Sequence, residues 1–306
     1  MYDYVLRTND ITKEYNKKVI LQNVSMNIKK GEIYGLIGKN GAGKTTLMRI
    51  ISGLTKQDSG NLSLFDINNK AEINKERARM GTLIESPRIY PHMTAEENLE
   101  LIRLQRGIPG KKCIKEVLGL VSLKDVGKRK CEDFSLGMKQ RLGISMALLN
   151  NPEFLILDEP INGLDPIGIK QIRKLLIKLN RERGITILIS SHILSELSQL
   201  VTTYGFINNG KLLQEISKDE LHKKCKGYLH IKVNDVEVAT DILEKELKIS
   251  DYEVFPQDII KIYEDCNTEK VNLSLAKHNI GATEIIRIDE SLEDYFSNVI
   301  GGVQND

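Results

Sequence analysis

Long apolar runs are missing from this sequence. They reach only about five residues, as around Ile185 and Ile187 to Ile189, where a membrane-spanning helix needs roughly 20. Any membrane role must therefore be borrowed from a partner. The start, Met1-Tyr2-Asp3-Tyr4, has no basic stretch and no apolar segment, so no signal peptide is expected there. Cys113, Cys131, Cys225 and Cys266 are far apart, which excludes a CxxC metal pair and points to reduced structural thiols. A charge excess of one sign is also absent. Against 44 basic residues stand 42 acidic ones, a net charge of +2, so no nucleic-acid partner is expected. The short basic stretches Lys128-Arg129-Lys130 and Lys223-Lys224 read as solvated faces. Internal repeats and low-complexity tracts are lacking. What is present is a globular composition, 41% hydrophobic and 28% charged. The 306 residues suffice for one large domain or two ordinary ones.

From Asp10 to about Gly210, short apolar strands alternate with amphipathic helices. Ile33 to Ile37, Phe154 to Leu157 and Thr186 to Ile189 read as buried strands. Lys44 to Ser52 reads as a helix stopping at Gly53. Ile169, Ile172, Leu175, Leu176 and Leu179 recur at helical spacing, and Ile193 to Leu200 reads as a further helix. This alternation predicts an α/β core with a mostly parallel sheet. Over the first 30 residues Val5, Ile11, Val19, Leu21, Val24, Met26 and Ile28 alternate instead, which predicts an antiparallel sheet. The charged stretch around Lys218 to Lys224 reads as a linker or connecting helix. Beyond it the expected order is β-α-β-β-α-β-α. Strands are expected at Tyr228 to Val233, Val254-Phe255, Ile259 to Tyr263 and Ile285 to Ile288. Helices are expected on the Ala239, Ile242, Leu243, Leu247 stripe, at Val271 to His278 and at Leu292 to Ile300. Two domains follow, 1–217 and 218–306, the second a small α+β unit suited to a ferredoxin-like arrangement.

Two segments carry chemistry. Gly38-Lys39-Asn40-Gly41-Ala42-Gly43-Lys44-Thr45 fits GxxxxGK[ST] between a buried strand and a helix. Glycines let such a loop curl so that its N–H groups face phosphate oxygens, and the helix N-terminus adds partial positive charge. Lys44 is placed to reach the β- and γ-phosphates, the Thr45 hydroxyl to ligate Mg²⁺, and Thr46 to continue the phosphate cradle. Phe154-Leu155-Ile156-Leu157-Asp158-Glu159-Pro160 is an apolar strand ending in two acids, at the sheet edge where ligands bind. Asp158 suits the metal and Glu159 suits polarising a water for attack on the γ-phosphate. Taken singly, a Gly-rich turn or two acids ending a strand would be unremarkable. Together they predict nucleotide hydrolysis.

Further segments carry a resemblance. Phe134-Ser135-Leu136-Gly137-Met138 looks like a degenerate LSGGQ signature. Asn162-Gly163-Leu164-Asp165-Pro166 resembles a D-loop, Ser190-Ser191-His192 a switch histidine, and Lys13-Glu14-Tyr15 an adenine-stacking A-loop. In this order, over residues 4 to 215, they resemble the ATP-binding cassette (ABC) family. The resemblance implies a P-loop NTPase fold with an antiparallel β subdomain and a helical signature subdomain. It implies ATP and Mg²⁺ as cofactors, and a head-to-tail dimer with ATP sandwiched between subunits. The dimer could be a homodimer or a heterodimer with a second ATPase. Tyr15 would stack on adenine. Ser135, Leu136, Gly137 and Met138 would meet the ATP of the opposite subunit, and Asp165 would belong to the dimer contact. His192 would sense the γ-phosphate. Leu136 and Met138 depart from the signature consensus, but Ser135 and Gly137 supply its phosphate contacts.

A larger departure is Glu85, in Ile84-Glu85-Ser86-Pro87, where the family expects glutamine. A glutamate there can ligate Mg²⁺ but adds negative charge near the γ-phosphate. With the Ser291 to Phe296 ending, this form resembles the ATPases of bacitracin and lantibiotic exporters. A motor at the cytoplasmic face of the membrane is implied, held there by integral membrane permease subunits and exporting an antimicrobial peptide, a lipid or another amphiphile. A soluble remodelling ATPase would usually carry two cassettes in one chain. A DNA-repair ATPase would need a coiled coil between Lys44 and Leu136, which are only 92 residues apart.

Overall fold

A computed structural model describes residues 2–225, 227–264, 266–288 and 292–301. Ser291 lies outside the described residues. The chain divides into two compact units, Met1–Lys218 and Asp219–Asp306.

The first unit is built on two sheets. Tyr4–Tyr15 pairs antiparallel with Lys18–Lys29 on one side and with Ser59–Leu64 on the other. Its alternating Val5, Leu6, Ile11, Leu21, Val24, Met26 and Ile28 enter the core cluster. The second sheet has six strands in the order Met80–Leu83, Phe154–Leu157, Thr186–Ser191, Ile33–Ile37, Thr203–Asn208 and Lys211–Ser217. All its pairs are parallel except the last. Ile33–Ile37, Phe154–Leu157 and Thr186–Ser191 are buried throughout, as strands covered on both faces must be. A Cβ on Gly205 would fall 2.1 Å from the Tyr34 hydroxyl, which occupies the space a side chain there would need.

Helices Ala95–Gln105, Lys112–Leu120 and Leu136–Leu148 form a helical layer beside the sheet edge. Thr94 and Glu97 build a capping box that starts the first of them. Gly143, on the third, touches the loop after Met80–Leu83. A Cβ there would sit 2.6 Å from Pro87 Cβ and 3.1 Å from Leu83 Cδ1. Alanine would add about 1 kcal/mol of helix propensity. The rigid Pro87 ring cannot rotate away, so overpacking of about 1–3 kcal/mol dominates. Gly143→Ala should therefore lower the melting temperature; an unchanged value would show that the contact yields freely.

The expected helix over Ile193 to Leu200 is shorter, Leu194–Leu197. Ser191 Oγ accepts from the Ile193 amide, and the Leu200 and Val201 amides both turn back to the Leu197 carbonyl. Ser59–Leu64 was not expected as a strand. Its apolar content is only Leu62 and Leu64, and Gly60 crosses the Asp10 backbone at φ +87°.

The second unit runs Tyr228–Val233, Val236–Lys245, Tyr252–Phe255, Ile259–Ile262, Thr268–Lys277, Ala282–Ile288 and Leu292–Gly301. Its four strands are all antiparallel, with Tyr228–Val233 between Ile259–Ile262 and Ala282–Ile288. Leu229, Ile231 and Val233 enter a separate core with Ile242, Leu243, Val271 and Leu275. The element order is that of the split β-α-β motif.

Candidate nucleotide site

Three parallel strands deliver the chemistry to one edge. Ile33–Ile37 runs into loop 38–43 and helix Lys44–Ile51. Phe154–Leu157 ends at Asp158 and Glu159, and Thr186–Ser191 ends at His192. The register sets Leu157 beside Ile189 and Leu36 beside Ser190, so the three ends are level.

Packing beneath the loop explains its glycines. A Cβ at Gly38 would meet the Ile207 carbonyl at 2.3 Å, and one at Gly43 would meet Leu21 Cδ2 at 2.7 Å. Gly41 and Gly43 also have φ of +82° and +106°, which other residues adopt only under strain. Lys39, Asn40 and Gly41 are exposed, while Ala42 and Gly43 are buried. The helix begins with no side-chain cap and no acid in its first turn. Its first N–H groups are thus available to an outside acceptor, at the positive end of the helix. Thr46 follows Thr45 in this first turn.

Lys44 is almost wholly buried, 5% exposed. Its Nζ donates to the Gly38 carbonyl at 2.6 Å and lies 3.2 Å from Glu159 Oε1. Asp158, 4% exposed, receives one hydroxyl on each oxygen: Thr45 Oγ1 at 2.7 Å and Ser190 Oγ at 2.6 Å. Ser190 Oγ in turn accepts the Glu159 amide at 2.9 Å. Glu159 sits at φ +48°, a left-handed conformation that costs a glutamate about 1–3 kcal/mol. That conformation is held by the Ser190 bond and by both carboxylate oxygens, the second of which lies 2.7 Å from His192 Nδ1. Burial pushes the carboxyl of nearby Glu196 up, with Glu159 adding and the His192 charge opposing.

Ser190 was expected only as part of the switch segment. Here its hydroxyl links the two acids, donating to the Asp158 carboxylate and accepting the Glu159 amide. The signal was a serine directly after three consecutive apolar residues, Ile187 to Ile189.

One ammonium facing two carboxylates leaves net negative charge, so the cluster favours an added cation. Hydroxyl and carboxylate oxygens suit a hard one. The uncapped helix start beside them suits phosphate.

The sequence pattern of the ABC transporter family matches residues 21–162. The bacitracin transport ATP-binding protein BcrA of Bacillus licheniformis is 46% identical over 302 residues, covering 97% of this chain and 98% of that protein. This chain belongs to the ABC transporter ATP-binding family. As a member it binds and hydrolyses ATP. The lantibiotic transport ATP-binding protein SrtF of Streptococcus pyogenes is 43% identical, covering 70% of this chain and 92% of its own. These relatives bear out the resemblance to bacitracin and lantibiotic ATPases. A dimeric ATP-binding cassette solved in a post-hydrolysis state with ADP and Pi superposes at a TM-score of 0.63. It shares 28% identity and covers 70% of this chain and 98% of that one.

In this ABC protein the remaining expected residues lie apart from the Lys44–Thr45–Asp158–Glu159–His192 cluster. Tyr15 ends its strand 42% exposed, with Lys13 Nζ 5.1 Å from its ring centre. Ser135 caps helix Leu136–Leu148, accepting from the Met138 amide at 3.3 Å. Leu136 is exposed, and a Cβ on Gly163 would lie 3.4 Å from its Cδ2. Gly137 faces Leu164, and Asp165 caps Pro166–Arg183 through the Gly168 amide at 3.0 Å. Glu85 is not joined to Thr45 and Asp158; its carboxylate pairs with Arg49.

Proposed function

We propose that this chain powers export of an antimicrobial peptide, of the bacitracin or lantibiotic type, through separate membrane subunits. The observation that carries this is whole-chain similarity to a bacitracin transport ATP-binding protein, joined to an intact nucleotide cluster. No helix of the described residues is long and apolar enough to cross a membrane. Its similarity to transporter ATP-binding subunits and to a dimeric cassette supports work at the cytoplasmic face of the membrane, held by its permease, as an ATP-dependent dimer. Two domains divide the labour, 1–217 holding ATP and 218–306 serving as an accessory α+β unit.

The residue roles we assign join this geometry to the family resemblance. Loop 38–43, Thr46 and Lys44 take the phosphates, and Tyr15 offers its exposed ring to adenine. Thr45 and Asp158 hold Mg²⁺, which when bound neutralises charge on the phosphate oxygens. Among the described residues no three His, Cys, Asp or Glu side chains gather as a metal cage. The Thr45 hydroxyl and Asp158 carboxylate oxygens would suit a hard cation such as Mg²⁺. Glu159 takes the proton of the attacking water, oriented by Ser190 and His192. Ser135 to Met138 and Asp165 face the partner subunit.

Growth tests decide the substrate. A host lacking this chain, or carrying Glu159→Gln, should lose resistance to bacitracin or a lantibiotic and regain it with the wild-type gene. Unchanged sensitivity across such a panel would turn the search to lipids and other amphiphiles.

A further inference from the structure

Glu85 stands two residues beyond Leu83, whose carbonyl accepts the Asp158 amide at 2.8 Å. The loop that carries it therefore leaves the sheet beside the two site carboxylates. Its backbone has φ +65°, a conformation a glutamate adopts only when its surroundings hold it. Its carboxylate forms an ion pair with Arg49. Arg49 is the basic residue in the last turn of Lys44–Ile51, the same short helix that presents Lys44 and Thr45.

The pair is half exposed, 39% and 55%, so it contributes little to folding. Its electrostatic consequence is larger. Glu85 adds a third carboxylate, on a loop that leaves the sheet beside Asp158 and Glu159, at a site that must accept a polyanion. Arg49 restores the balance. We propose that Arg49 is a positioning residue that neutralises Glu85, allowing a carboxylate to stand at the rim of the phosphate site. This rests on the reading of loop 38–45 as the ATP site. A competing role exists: a cation in a last turn also stabilises its own helix. That role needs no carboxylate at position 85, which separates the two.

The test measures binding of trinitrophenyl-ATP with magnesium to the full chain, at low and high salt. Arg49→Met should weaken binding about five- to tenfold at low salt, and the gap should narrow at high salt as the field is screened. Arg49→Lys should bind close to wild type. Adding Glu85→Gln to Arg49→Met should return affinity to within about twofold of wild type, because the charge that needed neutralising is gone. Wild-type affinity in Arg49→Met would overturn the proposal, and so would a double variant as weak as the single one. Lys44→Ala in the same assay separates the levels. If it binds like wild type, the nucleotide lies elsewhere and the proposal falls with the site. If only Lys44→Ala loses binding, the proposal alone falls.

Discussion

Replacing Glu159 with glutamine should cut ATP hydrolysis by about 10²- to 10⁴-fold while ATP still binds, the range a positioned general base contributes. The amide keeps the shape of the side chain and can still meet Lys44 and His192, which lie 3.2 and 2.7 Å from the two carboxylate oxygens. What it loses is the capacity to accept a proton. The backbone should not move, because the Ser190 hydroxyl holds the residue by its amide, which the substitution leaves in place. The Lys44 ammonium is buried, so losing its carboxylate partner costs folding more than a surface ion pair would, offset in part by the Gly38 and Lys39 carbonyls it still donates to. With hydrolysis stopped, an ATP-bound dimer should accumulate, visible by sedimentation as a faster species that appears only with ATP. Hydrolysis at the wild-type rate would remove Glu159 from its assigned role.

Lys44→Ala should fail earlier, at binding. The ammonium is buried and makes two kinds of contact, to the Gly38 and Lys39 carbonyls and to Glu159. Charge-assisted hydrogen bonds of this kind contribute about 1.5–3 kcal/mol each, so losing one to phosphate weakens ATP binding about ten- to a hundredfold. A second effect adds to it. Without Lys44, the Glu159 carboxylate faces incoming phosphate with no cation between them. Affinity should therefore fall together with hydrolysis, in contrast to Glu159→Gln, where only hydrolysis falls. Calorimetric titration with ATP and magnesium distinguishes the pair. Equal ATP affinity in Lys44→Ala and wild type would contradict the assignment.

Much of this site was legible because its parts announce themselves locally. Four consecutive apolar residues ending in Asp158-Glu159 read as a strand buried on both faces, and the structure buries all four. The glycine spacing of residues 38–43 is set by the strand and helix on either side. Contacts joining distant segments were not legible. Arg49 and Glu85 lie 36 residues apart, and neither position stands out by periodicity. The role of Ser190 depends on a register between Phe154–Leu157 and Thr186–Ser191 that no local pattern encodes. Gly60 hid the strand Ser59–Leu64, since a glycine among polar residues reads as a turn until its neighbour on the sheet is known. In the second unit, Leu229, Ile231 and Val233 alternate cleanly, and there the strand was readable from one face alone.

The order of the six-stranded sheet has a consequence for synthesis. Ile33–Ile37 is among the first apolar strands to leave the ribosome, yet its two sheet neighbours are Thr186–Ser191 and Thr203–Asn208. At about 5–20 residues per second, some 7 to 30 s separate the emergence of Lys44 from that of His192. For most of that interval the phosphate loop lacks its acidic partners, and Ile33–Ile37 stays unpaired on both edges. The nascent chain should therefore depend on holding chaperones until nearly two thirds of it has been made. Slowing translation downstream of the loop should lower the yield of folded protein rather than raise it.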